Sequence, residues 1–323
     1  RSLYGLRQSP NYWWVTVDKY LGQIGLGALK SNPFVYIYIS KHLDELTALE
    51  TEKQEKVSAT LTLYVDDLLI AGKDKKVLDM LERKLMAESK AADLGNVSLV
   101  LGMQVTRDRT LGHLTINQSA FTKGNTQRFV MDKCNPAITP RTGPEISIKQ
   151  PVEKLLNEVD AKRYQSIVGS VMYLAQVTRY DNQYAMGGAK LFLRYSAESI
   201  NHSIYCKKGK FHLTPFPDAN WGNNPDNSKS TSSYIMLARA PVRFKVGLQG
   251  RTAQSTMEAD LVAGALAIKE AVYCSNMIIE MECGSSVNTV PIYLDNTATL
   301  RVIASHIFSG RTKYIALRFF FMK

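Results

Sequence analysis

At 323 residues, with 45% hydrophobic and 21% charged positions, the chain is long enough for two domains and too apolar to be intrinsically disordered. Lys and Arg number 40 against 29 Asp and Glu, a balance of +11 that favours a polyanionic partner, because each neutralised phosphate releases counterions. Cys134, Cys206, Cys274 and Cys283 show no CxxC spacing and no nearby His at ligand spacing, which argues against a zinc site or a disulfide framework and fits a reducing compartment.

In chain order, Phe34 to Ile39 reads as a strand rich in aromatic and β-branched residues. A charged, solvated excursion is expected from Lys41 to Lys56. Thr60 to Val65 then alternates with period two, Asp66-Asp67 interrupts, and Leu68 to Gly72 resumes. This pattern predicts a hairpin with two aspartates at its tip. A charged amphipathic helix is expected over residues 74–90 and a return to strand over Leu99 to Val105. Residues 118–177 read as mostly helical, with Pro136, Pro140, Pro144 and Pro151 marking a linker. Strands follow at 203–207, 211–217, 232–238 and 242–246. Met257, Leu261, Ala265, Ile268 and Val272 recur at helical spacing, predicting a long amphipathic helix over 256–282. Val290 to Leu294 predicts a short strand, with a helix after Asp295-Asn296. Alternating strands and helices suggest an α/β layer in this half. No apolar run approaches the ~18 residues needed to span a bilayer, so no membrane partner is expected. There is no basic-then-apolar leader, and the first residue is Arg1 rather than Met, as in a sequence that begins mid-frame or a chain released from a larger precursor.

Two sets of carboxylates carry possible chemistry. Asp66 and Asp67 suit a turn, where Asp is common, and equally suit Mg²⁺, which takes hard oxygen ligands. Two adjacent like charges are stable mainly when a cation neutralises them. In the C-terminal third, Asp218 ends the strand of Phe216-Pro217-Asp218-Ala219-Asn220-Trp221. Glu258 lies in the first turn of the long helix, within Ser255-Thr256-Met257-Glu258-Ala259-Asp260, and Asp295 ends Pro291-Ile292-Tyr293-Leu294-Asp295-Asn296. Each has a structural reading: a turn beside Pro217, a capping box of Ser255 with Glu258, and a cap for the next helix. Strand-end, helix-start and strand-end positions can also converge on one sheet edge, where a metal pair could sit.

The motif context decides between these readings. Tyr64-Val65-Asp66-Asp67 is similar to the catalytic hairpin of reverse transcriptases. Upstream, Leu3-Tyr4-Gly5-Leu6-Arg7-Gln8-Ser9-Pro10 resembles the block whose Gly and Gln line template and incoming nucleotide, and Leu101-Gly102-Met103-Gln104 resembles the primer-grip hairpin. Together these blocks resemble the Pol polyprotein of copia-type LTR retrotransposons. The acidic segments and Lys229-Ser230-Thr231-Ser232-Ser233-Tyr234 resemble that family's ribonuclease H.

The resemblance implies an α+β or α/β architecture: a partial reverse-transcriptase palm and thumb, then a ribonuclease H-like mixed sheet with helices. The implied domains are a palm over 1–110, a mostly helical thumb or connection over 111–198, and a ribonuclease H domain over 199–323. It implies Mg²⁺, with Mn²⁺ as a substitute, held by Asp66 and Asp67 and by Asp218, Glu258 and Asp295. Gly5, Gln8, Tyr64, Leu101, Gly102 and Met103 are the implied template, nucleotide and primer contacts. The implied partners are RNA, DNA and their hybrid, with polyprotein segments in trans as a further one, and the implied location is the cytoplasm, a virus-like particle or the nucleus. The family pattern places a further catalytic Asp upstream of the first block and another past the last helix; neither is in this sequence. Residues 310–323 resemble the helix before that last strand, and the stretch from Tyr184 to Leu193 resembles a shortened helix. Two functions are therefore carried forward: an RNA-directed DNA polymerase with ribonuclease H, polymerase-dead as it stands, and a catalytically inactive basic remnant that only binds RNA or DNA.

Overall fold

The computed structural model describes residues 8–40, 56–88, 91–140, 156–179, 188–209, 211–281 and 289–304. Gly5, Cys283 and most of the charged excursion lie outside these residues, as do Pro144, Pro151, residues 184–187 and residues 310–323. The chain divides into two compact units, Arg1–Gly95 with Val272–Thr289, and Asn96–Ala271 with Val290–Lys323.

In the first unit, helix α1 (Ser9–Gln23) leads into strands β1 (Leu26–Ala28), β2 (Val35–Ser40), β3 (Lys56–Tyr64) and β4 (Asp67–Gly72), and helix α2 (Lys75–Glu88) follows. Pro10 starts α1, where its missing N–H costs nothing. The strands form one antiparallel sheet in sequence order. The expected period of two is visible in β3: Ala59, Leu61 and Leu63 are buried, while Thr62 and Tyr64 face outward. The inward residues join Leu21 of α1, Leu26, Tyr36, and Leu81 and Leu85 of α2 in a single core. Buried Tyr36 donates its hydroxyl to Asp18 Oδ1 at 3.0 Å; burial and that carboxylate push the phenol up to about 12.

The second unit holds two antiparallel sheets. The first comprises β5 (Leu99–Val100), β6 (Met103–Asp108), β7 (His113–Asn117) and β8 (Ile204–Cys206) in sequence order. Helices α3 (Ser119–Arg128), α4 (Glu158–Val177) and α5 (Ala189–Glu198) belong with it. Phe129, Ile167, Val171, Leu174, Phe192 and Leu193 form their core. Asn157 caps α4 by accepting from the Asp160 N–H at 2.8 Å. Arg179 is buried and donates to the Ser199 carbonyl and hydroxyl, at 3.1 and 2.6 Å. The strand read at 203–207 is thus β8, paired with β7 through Leu114↔Cys206 and Ile116↔Ile204.

The second sheet has the order β11-β10-β9, with β9 (Thr214–Asn220), β10 (Thr231–Leu237) and β11 (Pro241–Leu248). Helix α6 (Thr256–Met281) and α7 (Thr297–Ala304) follow. Pro215, Pro217 and Ala219 of β9 share the buried face with Ser232, Tyr234 and Met236 of β10. Buried Gln249 bridges the sheet to α6, donating Nε2 to Ser232 Oγ at 2.7 Å and to the Ala259 carbonyl at 3.0 Å.

Four expectations are corrected. Residues 290–294 are not a strand: only the Tyr293 N–H reaches across, to the Pro215 carbonyl at 3.1 Å, and one bond makes no ladder. Every strand pair among the described residues is therefore antiparallel, and the architecture is α+β rather than a mixed α/β sheet. By length and composition alone, the 26-residue α6 is apolar enough to cross a membrane, contrary to the reading of the sequence. The buried stripe of α6 also differs from the predicted one. Of the predicted positions Leu261 is fully buried, Met257, Ala265 and Ile268 are half-buried and Val272 is 50% exposed, and the buried face also takes in Ala259, Val262, Ala263, Ala267, Ala271 and Cys274. Alanines carry little hydropathy weight, so the larger residues at the flank of the stripe dominate the pattern.

An alanine stripe leaves no room for larger groups. Ala263→Leu is expected to cost about 1–3 kcal/mol by overpacking, while Val272→Ala changes stability by less than about 0.5 kcal/mol. Urea unfolding of the two variants checks this order.

Candidate active site

The aspartate hairpin forms as expected. Register Tyr64↔Asp67 leaves Val65 and Asp66 as a two-residue turn, so Asp66 lies in the turn and Asp67 begins β4. Both aspartates and Tyr64 are exposed. Val65 has φ 52°, a left-handed conformation that costs an L-residue roughly 1–2 kcal/mol. Its carbonyl accepts a hydrogen bond from Trp13 Nε1 at 2.8 Å. Gln8 stands at the N-terminus of α1 with no side-chain cap bond, its carbonyl accepting from Tyr12 N–H at 3.2 Å.

Leu101 and Gly102 form the two-residue turn between β5 and β6, fixed by Val100↔Met103. Both take positive φ, 47° and 73°, the pattern of a type I′ turn. Leu101 is exposed and Met103 half-buried. The Tyr173 hydroxyl of α4 donates to the Leu101 carbonyl at 2.6 Å, and a Cβ added to Gly102 would lie 2.8 Å from that hydroxyl.

In the β9–β11 region two neighbouring acids differ in surroundings. Glu258 closes the capping box: its N–H donates to Ser255 Oγ at 3.2 Å, and its Oε2 accepts from the Gln254 N–H at 2.8 Å. One oxygen of its carboxylate thus ties down the start of α6. Asp260, one half-turn on, is buried and lies within reach of the charges of Asp218 and Asp295. Burial pushes its carboxyl above the ordinary range, and the Asp295 and Asp218 charges push the same way. Asn296 Nδ2, at 2.7 Å, and the Ala219 backbone N–H act against them. Asp260 thus feels the charges of both Asp218 and Asp295, and it is a buried acid that sequence reasoning did not single out. The available signal was the second acidic position of the Glu258-Ala259-Asp260 run, overlooked because the capping-box spacing drew attention to the first.

Asp218 lies inside β9, opposite Ser233, rather than at its end. Phe216 and Tyr293 stack at 5.4 Å between centroids, and Asp218 follows Phe216 by two residues on the same face of β9. Asn296 caps α7, its Oδ1 accepting from the Ala298 and Thr299 N–H groups at 3.0 and 3.1 Å. One side chain therefore caps a helix and holds the buried carboxylate. Among the described residues, no three acidic, His or Cys side chains converge closely enough to bind a metal ion in the arrangement seen.

Residues 1–143 match the family of reverse transcriptases (RNA-dependent DNA polymerases). All of the chain aligns at 28% identity with the retrovirus-related Pol polyprotein from transposon TNT 1-94 of Nicotiana tabacum, covering 25% of that protein. It aligns equally over its whole length with the Pol polyproteins from transposons RE1 and RE2 of Arabidopsis thaliana, at 28% identity and covering 22% of each. The chain therefore spans about a quarter of the length of the curated relatives it matches.

A carboxyl whose pKa is raised on folding contributes stability that is complete below its unfolded value and is lost as pH rises through its folded value. Asp260 is of this kind. Asp295→Asn and Asp218→Asn are each expected to lower the Asp260 pKa and to flatten the loss of Tm as pH rises above the ordinary carboxylate range. Carboxyl NMR titration with parallel thermal melts checks both effects.

Proposed function

Because residues 1–143 belong to the reverse transcriptase family and the whole chain is a stretch of copia-type retrotransposon Pol polyprotein, we propose that it carries the polymerase hairpin of that enzyme joined to its ribonuclease H region. The activities at issue are RNA-directed DNA synthesis and cleavage of RNA in RNA–DNA hybrids. The single observation that carries the nuclease half is the buried Asp260 carboxylate, held by Asn296 next to Asp295 and within reach of the Asp218 charge. A fold gains no stability by burying a carboxylate near two others, so the grouping reads as a site for a cation. On this reading the domains are a palm over 1–110, a thumb or connection over 111–198, and ribonuclease H from 199.

Reverse transcriptase domains use divalent ions and nucleic-acid substrates. Here Asp66 and Asp67 would hold Mg²⁺ at one site, and Asp218 and Asp295 with Glu258 or Asp260 would hold it at the other, with Mn²⁺ as a substitute. Bound there, Mg²⁺ supplies activation of the attacking oxygen and charge relief at the leaving oxygen. The chain's own residues do the rest. Asn296 and the Ala219 N–H aim the Asp260 carboxylate, and the Phe216–Tyr293 stack ties the segment before Asp295 to β9. Gly5, Gln8, Tyr64, Leu101, Gly102 and Met103 line template, nucleotide and primer. Recognition follows backbone and 2′-hydroxyl shape rather than sequence, and the +11 charge supplies the sequence-independent attraction.

A second reading, a basic remnant that only binds RNA or DNA, is favoured by one observation: no cluster of metal-binding side chains is drawn together among the described residues. The two readings separate on a labelled RNA–DNA hybrid incubated with the chain in Mg²⁺ and then in Mn²⁺, whose looser demands tolerate a site short of ligands. The nuclease reading expects slow cleavage, stronger in Mn²⁺, that falls at least about 100-fold in Asp260→Asn and little in Glu258→Gln. Salt-sensitive binding without cleavage leaves the remnant reading. Templated primer extension by residues 1–323 is expected to be absent, since Asp66 and Asp67 alone hold ions weakly; a gel assay showing robust extension refutes this.

A further inference from the structure

Two hairpin turns of this chain share an unusual construction. Val65 and Leu101 each stand first of the two central residues of a two-residue turn, and each takes a left-handed φ, 52° and 47°. Neither a β-branched nor a bulky residue prefers that region. The carbonyl of each belongs to the central peptide of its turn. Rotation of that peptide converts one turn type into another and re-aims the residues on both sides.

In both turns this carbonyl is held by an aromatic donor from a helix of the same unit. Trp13 Nε1 of α1 reaches Val65 O at 2.8 Å, and the Tyr173 hydroxyl of α4 reaches Leu101 O at 2.6 Å. Trp13 is 46% exposed and stands outside the core cluster that its neighbour Trp14 packs against. Core packing therefore does not account for it. The Tyr173 ring is itself steadied edge-on by Phe121, with centroids 4.8 Å apart and planes at 70°. Gly102 leaves the space its hydroxyl occupies.

We propose that Trp13 and Tyr173 are positioning residues, each locking the central peptide of one hairpin turn, and that Trp13 thereby fixes the direction in which Asp66 and Asp67 leave the tip. The functional part of this rests on the polymerase reading of that tip; the lock itself does not.

Amide hydrogen exchange on the full chain tests it, comparing Trp13→Phe and Tyr173→Phe, which keep a ring and remove the donor. Each variant is expected to speed exchange about three- to tenfold in its own tip, residues 64–67 or 100–103, as loss of one solvent-accessible hydrogen bond predicts. The other tip and the mid-strand amides 59–62 should not change. Acceleration spread evenly over the chain, or none at either tip, overturns the lock, because global loosening raises all amides together. Should a variant fail to fold, the wild-type indole N–H of Trp13 decides: it should exchange more slowly than a free indole, and exchange at the free rate overturns the proposal. Mn²⁺ relaxation separates the two layers. Asp66-dependent Mn²⁺ binding weakened several-fold by Trp13→Phe supports the aiming role, and equal binding in wild type and variant overturns it. No Asp66-dependent binding in the wild type refutes the polymerase reading, and the aiming role with it, while the lock is judged on exchange alone.

Discussion

Much of the second unit is organised around one unfavourable placement: a carboxylate buried within reach of two others. Asp260 sits at the start of α6, so the helix must bring an anion to the sheet that carries Asp218. The fold meets this cost with specific donors. Ala219 gives a backbone N–H and Asn296 a side-chain amide, and Asn296 is held because the same side chain caps α7. Gln249 and the alanine stripe keep the first turns of α6 in place. Removing any of these supports leaves a buried charge with fewer partners, which is why the capping box of Ser255 and Glu258 matters for a residue two positions further on.

The hairpin of Asp66 and Asp67 follows another economy. Its aspartates are exposed, so no buried charge has to be satisfied, and the strain lies in the backbone of Val65 instead. Left-handed valine is tolerated because the strands on either side fix the register over six residue pairs, from Ala59↔Gly72 to Tyr64↔Asp67. Strain of this kind persists where the surrounding structure over-determines it, and functional tips are among the places that do so. One region thus stores its cost in desolvation and the other in a dihedral angle.

These differences explain what the sequence disclosed. The β3–β4 hairpin was legible because Leu61 and Leu63 alternate with Thr62 and Tyr64, and a two-residue gap leaves few turn geometries. The β9, β10 and β11 strands and the extent of α6 were readable from the same periodicities. The stripe of α6 was not, because alanine is nearly neutral in hydropathy while Val272 and Ile268 are not. Residues 290–294 look like a strand because Val290, Ile292 and Leu294 alternate, yet only one backbone bond ties them to β9. Helix α1 was missed because Tyr12, Trp13 and Val15 put large apolar groups on its exposed side, blurring the pattern. Asp260 was passed over for a similar reason: Glu258 satisfied a local rule completely, and only tertiary contacts reveal which of two neighbouring acids turns inward. The copia-type motifs named the family where physical patterning alone could not.

The passage from β8 to β9 sets a geometric bound. Only residues 207–213 connect Cys206 to Thr214, a leash of at most about 25 Å when fully extended. Since β8 is zipped to β7, the edge strand that carries Asp218 is tethered to the sheet of the Leu101 turn within that radius. A tether so short keeps the two partners at an effective concentration on the order of millimolar. Even a weak affinity between them is then satisfied most of the time, and a nick within these residues would turn an intramolecular equilibrium into a dilution-sensitive one.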